Sequence, residues 1–247
     1  MRKTIFCLVV VYVITLGGIA AAVQYGSMEA EDFIGGKPGA IKVLSVPFET
    51  NVQPDQPHPK TGKLGGKYTI KEASGNKFIG VPNGAGNNSG SYVKYNISIP
   101  KSGSWYFWAR VIAPSVADNS FYWAFDIEDK DAVSADTNKT NIWDFYEKEE
   151  LRKNYTVEWV WFRLNSRNGP FPGRELDQYG PNPTPIKLDK GIHLLYLIHR
   201  EDGTFMDALV WSQDKTFDPN KTPPTSVRPE DKLATRWGEL KSSSLPR

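Results

Sequence analysis

The stretch YVKYNISI, residues 92–99, decides the fold class, because apolar and polar residues alternate along it from Val93 onward. Successive side chains of a β-strand point to opposite faces, so the apolar set would line one face and the polar set the other. A helix would need apolar residues at intervals of three and four instead. The stretch therefore predicts a strand with one face in a core and one in water.

The same two-residue period recurs before and after residues 92–99, between Gly, Pro and Asn residues that mark turns. The further predicted strands span residues 28–33, 67–71, 77–81, 105–113, 121–127, 157–164, 192–200 and 205–211. Residues 105–113 are apolar on both faces, which indicates a central strand. No convincing amphipathic helix separates these strands, so we predict an all-β fold, a β-sandwich of the jelly-roll type, over an α/β fold.

Three stretches break the strand pattern and are longer than ordinary connections: residues 35–66, 129–158 and 166–185. They are predicted loops, and loops at one end of a sandwich commonly carry function. A short helix around residues 141–153 is a further prediction, with its EKEELRK run as a solvated face.

The first 22 residues read as a secretory signal peptide: Arg2 and Lys3 precede an apolar run, and Ala20 and Ala22 mark a cleavage site. An uncleaved membrane anchor is the alternative. We expect a signal peptide at 1–22, one β-sandwich at 23–214 and a C-terminal extension at 215–247. The mature protein would be secreted, periplasmic or on the cell surface, with no stable membrane insertion.

Cleavage would also remove the single cysteine, Cys7, and therefore any disulfide or thiol chemistry. Without Arg2 and Lys3 the 30 basic residues fall to 28, which matches the 28 acidic residues. A neutral chain of this kind lacks the basic surplus of a nucleic-acid binder. Aromatic residues make up 13% of the chain, so a core or a ligand must account for them.

Three patches in order resemble the carbohydrate-binding modules of families six and thirty-five: MEAEDF at 28–33, GSWYFWARV at 103–111 with DNSFY at 118–122, and GIHL at 191–194 leading into REDGTFMDA at 200–208. The resemblance covers residues 28 to about 214. It implies a galactose-binding-like jelly roll that binds a polysaccharide or other glycan without transforming it.

Glu29 and Glu31 are two residues apart on a predicted strand, so their carboxylates would lie side by side and repel each other unless a cation is present. The resemblance implies that they hold a structural Ca²⁺ with Asp207 of the last strand, since hard oxygen ligands suit that ion. The alternative is an acidic edge strand whose outer face is solvated.

The sugar site itself is predicted from exposed aromatic rings, because one face of a sugar is an apolar patch of C–H groups. If Val160 lies on the core face, Trp159 and Trp161 lie together on the opposite face. The alternative is that another layer covers both rings. Trp123 is in phase with core residues and is predicted to be core. The resemblance adds three polar candidates from the loops: Asn119, Tyr122 and Asp202.

Two other function classes remain open at this point. An enzyme has little support, because His193 and His199 lack a third metal ligand and no GxSxG or HExxH motif occurs. Paired carboxylates for glycoside hydrolysis could come from the acidic run 126–131. A surface structural or protein-interaction module would use the same fold without a sugar. The expectation is non-catalytic carbohydrate binding.

Overall fold

The computed structural model describes residues 25–135, 138–145, 155–166 and 185–221. These residues form fourteen β-strands, every strand pairing is antiparallel, and the strands build two facing sheets and a separate hairpin. The predicted all-β jelly-roll sandwich is confirmed. The predicted signal peptide and most of the predicted extension lie outside the described residues.

The first sheet has seven strands, and β8 is an inner strand between β11 and β14, as its doubly apolar pattern predicts. Across it run β11 (Thr156–Arg163), β8 (Gly103–Ala113), β14 (Phe205–Ser212), β6 (Lys77–Gly80) and β3 (Lys42–Ser45). Two further strands join this path: β1 (Tyr25–Glu29) pairs with β14, and β12 (Ile186–Leu188) pairs with β8. The pairing of β1 with β14 brings the start and the end of the domain together.

The second sheet has five strands, β10 (Asn141–Asp144), β9 (Ser120–Phe125), β13 (Gly191–His199), β7 (Tyr92–Ile99) and β2 (Gly35–Lys37). The stretch that decides the fold class is β7, and Val93, Tyr95 and Ile97 are each fully buried between the sheets. Burial of such side chains, about 25 cal/mol per Å² of apolar surface, is the main stabilising term. Trp105, Trp123 and Trp143 are among the largest side chains in this core.

A long hairpin lies against the outer face of the first sheet and forms a second apolar layer there. Its strands are β4 (Phe48–Pro57) and β5 (Leu64–Ile70). Tyr68 and Ile70 of the hairpin pack with Phe78, Ile112 and Phe205 of the sheet. The side chains of β8 therefore alternate between the core of the sandwich and the outer face of the sheet, where Ile112 lies under the hairpin.

Two sequence predictions about the loops are wrong. Residues 35–66 are not a loop, since they contain β2, β3 and the hairpin strand β4. The helix predicted around 141–153 does not begin at residue 141, because residues 141–144 form β10, and residues 146–153 lie outside the described residues. A short helix, α1 (Asp129–Ser134), lies earlier. The first error arises because Pro54 and Pro57 lie in β4, a strand with one free edge, where proline is tolerated and resembles loop composition.

The first residues of the predicted C-terminal extension pack on the sandwich. Phe217 is buried against Trp108 and Val210, with ring centroids of Phe217 and Trp108 5.4 Å apart. Of the helices within the described ranges, none has the length and apolar character needed to cross a membrane.

Candidate functional site

A cleft of about 720 Å³ opens between the hairpin and the outer face of the first sheet. We call it the hairpin cleft. One wall is β5 and the residues after it, from Lys67 to Glu72, the other wall is Val157 to Trp159 of β11, and the floor includes Arg110 and Ile112 of β8. Polar and aromatic side chains thus surround a volume large enough for a small ligand.

Trp159 is the aromatic side chain that β11 contributes to this cleft. Its ring is half-buried, and it packs edge-on against Phe78 with centroids 5.5 Å apart. The indole Nε1 donates a hydrogen bond to the carbonyl of Glu72. These contacts fix the orientation of the ring while part of its surface remains open to the cleft.

The predicted alternation along β11 is confirmed. Val160 and Phe162 pack on the core of the sandwich, and Trp159 and Trp161 lie on the opposite face. The two tryptophans do not share one site, however. Trp161 packs beside Trp108 with the aromatic cluster of the C-terminal segment, and it does not line the hairpin cleft. The structure therefore brings only Trp159 of the pair into the cleft.

Two cleft residues are not identifiable from the sequence as site residues. Arg110 places its guanidinium 5.6 Å from the centroid of the Trp159 ring, and its only signal is that it is a single charged residue within the apolar run 105–113. The hydroxyl of Tyr68 is buried and has no hydrogen-bond partner among the described residues, and burial raises the pKa of this side chain. The sequence does not indicate that Tyr68 lines a cleft, because the other hairpin strand, β4, resembles a loop in composition and the hairpin is therefore not predicted.

A second cavity of about 570 Å³, the loop pocket, lies on the other side of the hairpin, where β4 faces the loop after β6 and Asp202. The carboxylate of Asp202 accepts hydrogen bonds from the backbone N–H groups of Gly84 at 2.8 Å and Gly86 at 3.0 Å. Gln53 of the hairpin donates to the same carboxylate at 3.2 Å. Asp202 is thus a lining residue whose oxygens already hold the loop.

Asp118 connects this pocket to the hairpin. It is fully buried and accepts hydrogen bonds from Gln53 Nε2 at 2.6 Å and from Ser115 Oγ at 2.7 Å. Burial raises the pKa of Asp118 to about 6, and the nearby Asp202 adds to the effect. Only glycine fits at position 203, because its φ is 72° and a Cβ there would lie 2.7 Å from Asp118 Oδ1.

The other two predicted ligand residues lie near this end of the second sheet but in different environments. Asn119 is 1% exposed, its backbone N–H donates to Glu201 at 3.0 Å, and its side-chain Nδ2 donates to the hydroxyl of Tyr155 at 3.3 Å. Tyr122 is half-buried on the outer face of the sheet, with the guanidinium of Arg200 5.9 Å from its ring centroid. Trp123, predicted to be core, is fully buried.

The three predicted metal ligands lie near one another where β1 meets β14. Ser74 links two of them, since its hydroxyl donates to Glu29 at 2.7 Å and its backbone N–H donates to Asp207 Oδ1 at 2.9 Å. The other oxygen of Asp207 accepts from Arg110 Nη1 at 2.6 Å. The third residue, Glu31, lies beside Gly75, which follows Ser74: a Cβ added at Gly75 would be 3.5 Å from Glu31 Oε1. We call Glu29, Glu31 and Asp207 the carboxylate cluster.

The carboxylate cluster contains more negative charge than its neighbours balance. Oε2 of Glu29 and Oε2 of Glu31 are buried without a hydrogen-bond partner among the described residues. Burial, with the charges of Glu29, Asp32 and Asp207, raises the pKa of Glu31 to about 7. Within the described ranges, no three His, Cys, Asp or Glu side chains converge closely enough to hold a metal ion by themselves. Further oxygens would have to complete a site.

The residues that suggested an enzyme are each tied to a structural partner. His193 Nδ1 is 2.7 Å from Asp126, and the fully buried His199 is 2.6 Å from the hydroxyl of Ser89. In the acidic run, Asp129 pairs with Lys94, Glu128 with Lys130 and Asp131 with Lys139. Each of these three carboxylates therefore has its own cation partner.

Comparison with known proteins gives a likeness in fold. No protein-family model and no curated protein match the chain. Similar solved structures include the C-terminal family-six module of a laminarinase from Zobellia galactanivorans, at 12% identity and a TM-score of 0.41 over 77% of this chain and 100% of that one. A family-35 module from Clostridium thermocellum shows 10% identity and a TM-score of 0.39 over 76% and 97%.

A family-six module from Clostridium cellulolyticum, solved in complex with xylose, shows 14% identity and a TM-score of 0.37 over 76% of this chain and 98% of that one. These are the two families of carbohydrate-binding module that the sequence patches resemble. What the chain shares with them at these identities is the β-sandwich fold.

Proposed function

We propose that this chain is an exported, non-catalytic carbohydrate-binding protein that holds its ligand in the hairpin cleft. The observation that carries the proposal is the position of Trp159, a half-exposed indole fixed by Phe78 and Glu72 at the wall of a cleft of about 720 Å³. An indole combines a large apolar face with a polar N–H edge, so its open face can be covered by an apolar surface of a ligand.

The surroundings of Trp159 fit the two surfaces of a sugar. The indole offers an apolar face to the C–H groups of the ring, and Arg110 and Glu158 of the cleft lining offer a donor and an acceptor for sugar hydroxyls. The rim pair of Lys60 with Glu158, 2.5 Å apart, is well exposed and can exchange its partners for ligand hydroxyls at small cost.

Non-catalytic binding is favoured over hydrolysis by the carboxylates of the cleft. A glycosidase needs a general acid whose pKa is raised, so that it carries a proton near neutral pH. The hydrogen bond from Lys60 lowers the pKa of Glu158 instead, which leaves that carboxylate ionised. Glu158 can accept a hydrogen bond from a sugar hydroxyl but is a poor proton donor to a glycosidic oxygen.

The proposal includes a Ca²⁺ ion at the carboxylate cluster. The donor set is the hard-oxygen kind that Ca²⁺ prefers, and the buried, unpartnered oxygens of Glu29 and Glu31 would be satisfied by a cation. Ser74 Oγ and backbone carbonyls would complete the ligands. When bound, the ion would supply positive charge that joins the first strand to the last strand of the domain.

Export is proposed from the N-terminal sequence pattern of residues 1–22. Expression of the chain in a secreting host, followed by N-terminal sequencing of the product, tests this part. A product that begins at Val23, or within a few residues of it, supports export with cleavage. A product that retains Met1 and stays with the membrane fraction supports the anchor instead.

Affinity electrophoresis in gels that contain xylan, laminarin, mannan, cellulose derivatives or pectin tests the binding site. We expect at least one polymer to retard the wild type, and Trp159→Ala to abolish that retardation. Trp161→Ala is the matched control, because it removes an indole from the same face of the same strand but outside the cleft. Equal retardation of the wild type and Trp159→Ala would show that the ligand does not bind in the hairpin cleft.

A further inference from the structure

The charges that line the hairpin cleft are unequal. Four cationic side chains and two carboxylates line it: Lys60, Lys67, Lys71 and Arg110 against Glu72 and Glu158. Beyond residue 22 the chain has equal numbers of basic and acidic residues, so the surplus is a property of the cleft and not of the whole chain. Because salt screens charges that lie more than about 8 Å apart, the side chains that line a cleft dominate the field that a ligand meets there.

The carboxylates that pair with two of these cations lie outside the lining of the cleft. Lys67 pairs with Glu49 at 2.6 Å, and the side chains of this pair are 78% and 62% exposed. Exposed pairs of this kind contribute little to stability, so Lys67 can exchange Glu49 for an anionic group of a ligand. Asp207, the partner of Arg110, is 0% exposed and is not among the residues that line the cleft.

Lys71 gives the cleft a cation that is not paired. It follows the last residue of β5 in the wall of the cleft, it is exposed, and it has no ion-pair partner among the described residues. A lysine ammonium is a point charge on a flexible stem and has three donors. Lys71 is thus free to bind an anionic group of a ligand that lies between the two walls.

Arg110 adds a cation at the floor of the cleft whose hydrogen-bonding capacity is largely unused. A guanidinium has five N–H donors, and the one hydrogen bond of this side chain among the described residues runs from Nη1 to Asp207 Oδ2, at 2.6 Å. The side chain is 29% exposed, and its guanidinium lies 5.6 Å from the centroid of the Trp159 ring. Donors for an anion and an apolar ring for a sugar are therefore adjacent.

We propose that the ligand of the hairpin cleft is an anionic glycan, in which carboxylates or sulfate esters bind Arg110 and Lys71 while a sugar ring packs on Trp159. The inference rests on the proposed function and names the ligand class of the same site. Carboxylates and sulfate esters share the chemistry that a guanidinium recognises, since each presents two or more anionic oxygens that match its planar fork of N–H groups.

A neutral glycan would fit the charges of the cleft less well. It would cover Lys71 and Arg110, and so remove water from them, without supplying a negative charge in return. Hydrogen bonds between charged groups are roughly twice as strong as those between neutral groups. We therefore expect an anionic glycan to bind about tenfold more tightly than a neutral glycan with the same backbone.

The first test measures calorimetric binding to matched polymers. Polygalacturonate and its methyl-esterified form share a backbone and differ in carboxylate charge, and a sulfated galactan and its desulfated form differ in sulfate esters. We expect about tenfold tighter binding to the charged member of at least one pair, which identifies the anionic group. Trp159→Ala should abolish this binding, and a preference for the charged polymer that this variant retains would overturn the inference.

The outcomes of this test separate the inference from the proposed function. Binding that depends on Trp159 and is as tight for neutral polymers as for charged ones overturns the inference and leaves the proposed function standing. Binding to no polymer, charged or neutral, overturns the proposed function, and the inference with it.

The second test removes the unpaired cation of the cleft. Lys71→Gln deletes one charge at the wall, and we expect about threefold weaker binding of the charged polymer. Lys187→Gln is the matched control, because Lys187 is an exposed residue of β12 that does not line the cleft, and its replacement changes the net charge by the same amount. Equal weakening by both variants would mean that only net charge attracts the polymer. That result would overturn the inference, as would unchanged binding in Lys71→Gln.

The third test concerns the planar fork of the arginine. Arg110→Lys keeps a cation beside Asp207 but loses the fork. We expect a melting temperature close to that of the wild type and about fivefold weaker binding of the charged polymer, with little change for its neutral form. Unchanged binding of the charged polymer by Arg110→Lys would overturn the assignment of the anionic group to Arg110.

Discussion

Replacing Asp118 by Asn should make the stability of the protein less dependent on pH between about pH 4 and 6. Asp118 is buried beneath the loop pocket, where Gln53 ties the hairpin to it, so its charge state bears on how firmly the hairpin is held. Burial raises its pKa from 3.8 to about 6. The neutral carboxyl is therefore the form that the fold prefers.

The size and sign of the effect follow from the difference between the folded and unfolded pKa values. At pH 3 the group is protonated in both states, and between pH 3.8 and about 6 only the folded state holds the proton. The stabilising contribution is thus complete below the unfolded pKa and is lost as pH rises through the folded pKa. A tenfold difference in proton affinity corresponds to about 1.4 kcal/mol, so the loss by pH 7 is of the order of 3 kcal/mol.

Urea unfolding at pH 4, 5, 6 and 7 measures this contribution as the difference between the wild type and Asp118→Asn. Asn is nearly isosteric, and the hydroxyl of Ser115 can turn to accept from its amide. We expect Asp118→Asn to gain stability relative to the wild type by about 2.4 kcal/mol from pH 4 to pH 7. Parallel pH profiles for the two proteins would refute the reasoning that burial of this carboxyl dominates its chemistry.

Three further predictions concern the ion, the core and the second sheet. Chelation with EGTA should lower the melting temperature, and the lost stability should be about 2.7 kcal/mol if Ca²⁺ had been present at a hundred times its Kd. Asp207→Ala should abolish this sensitivity to EGTA. An unchanged melting temperature of the wild type would show that no Ca²⁺ stabilises the fold. Trp123→Ala should cost about 3 to 5 kcal/mol in chemical denaturation, since the fully buried indole also bonds the carbonyl of Asn165, and a cost below 1 kcal/mol would contradict its core position. Burial alone would lower the pKa of His193, but the hydrogen bond and charge of Asp126 outweigh burial and raise the pKa above 6.5. The protonated His193 should therefore stabilise the fold below pH 6.5, and this contribution should be lost as pH rises through the raised pKa. Thermal melts at pH 6 and 9 should show the loss in the wild type and not in His193→Gln.

The sandwich was predictable because its core strands carry their own pattern. The alternation along β7 and the doubly apolar run of β8 specify which faces are buried, and both strands occupy those places. The hairpin strand β4 was not predictable, because Pro54 and Pro57 read as loop signals. Packing on the sheet makes β4 part of the fold, since the ring centroid of its Phe48 lies 5.8 Å from those of Phe78 and Phe205, and such a contact between distant residues leaves no local period in the sequence.

The candidate site was predictable only in part, for a related reason. The period of β11 placed Trp159 and Trp161 on one face correctly, but what covers each ring is decided by segments far away in sequence. The hairpin leaves a cleft at Trp159, while the C-terminal segment fills the space beside Trp161. Arg110 could be noticed in the sequence as a charge among apolar residues, but its contact with both Asp207 and Trp159 needs the tertiary structure.

A glycan-array screen of the purified protein, run in CaCl₂ with the wild type and Trp159→Ala side by side, tests the central claim most directly. We expect the wild type to bind one class of glycan and Trp159→Ala to bind none of that class while its circular dichroism spectrum stays unchanged. Absence of binding to every plant, algal, bacterial and animal glycan on the array would contradict the account and would point to a surface module that binds protein.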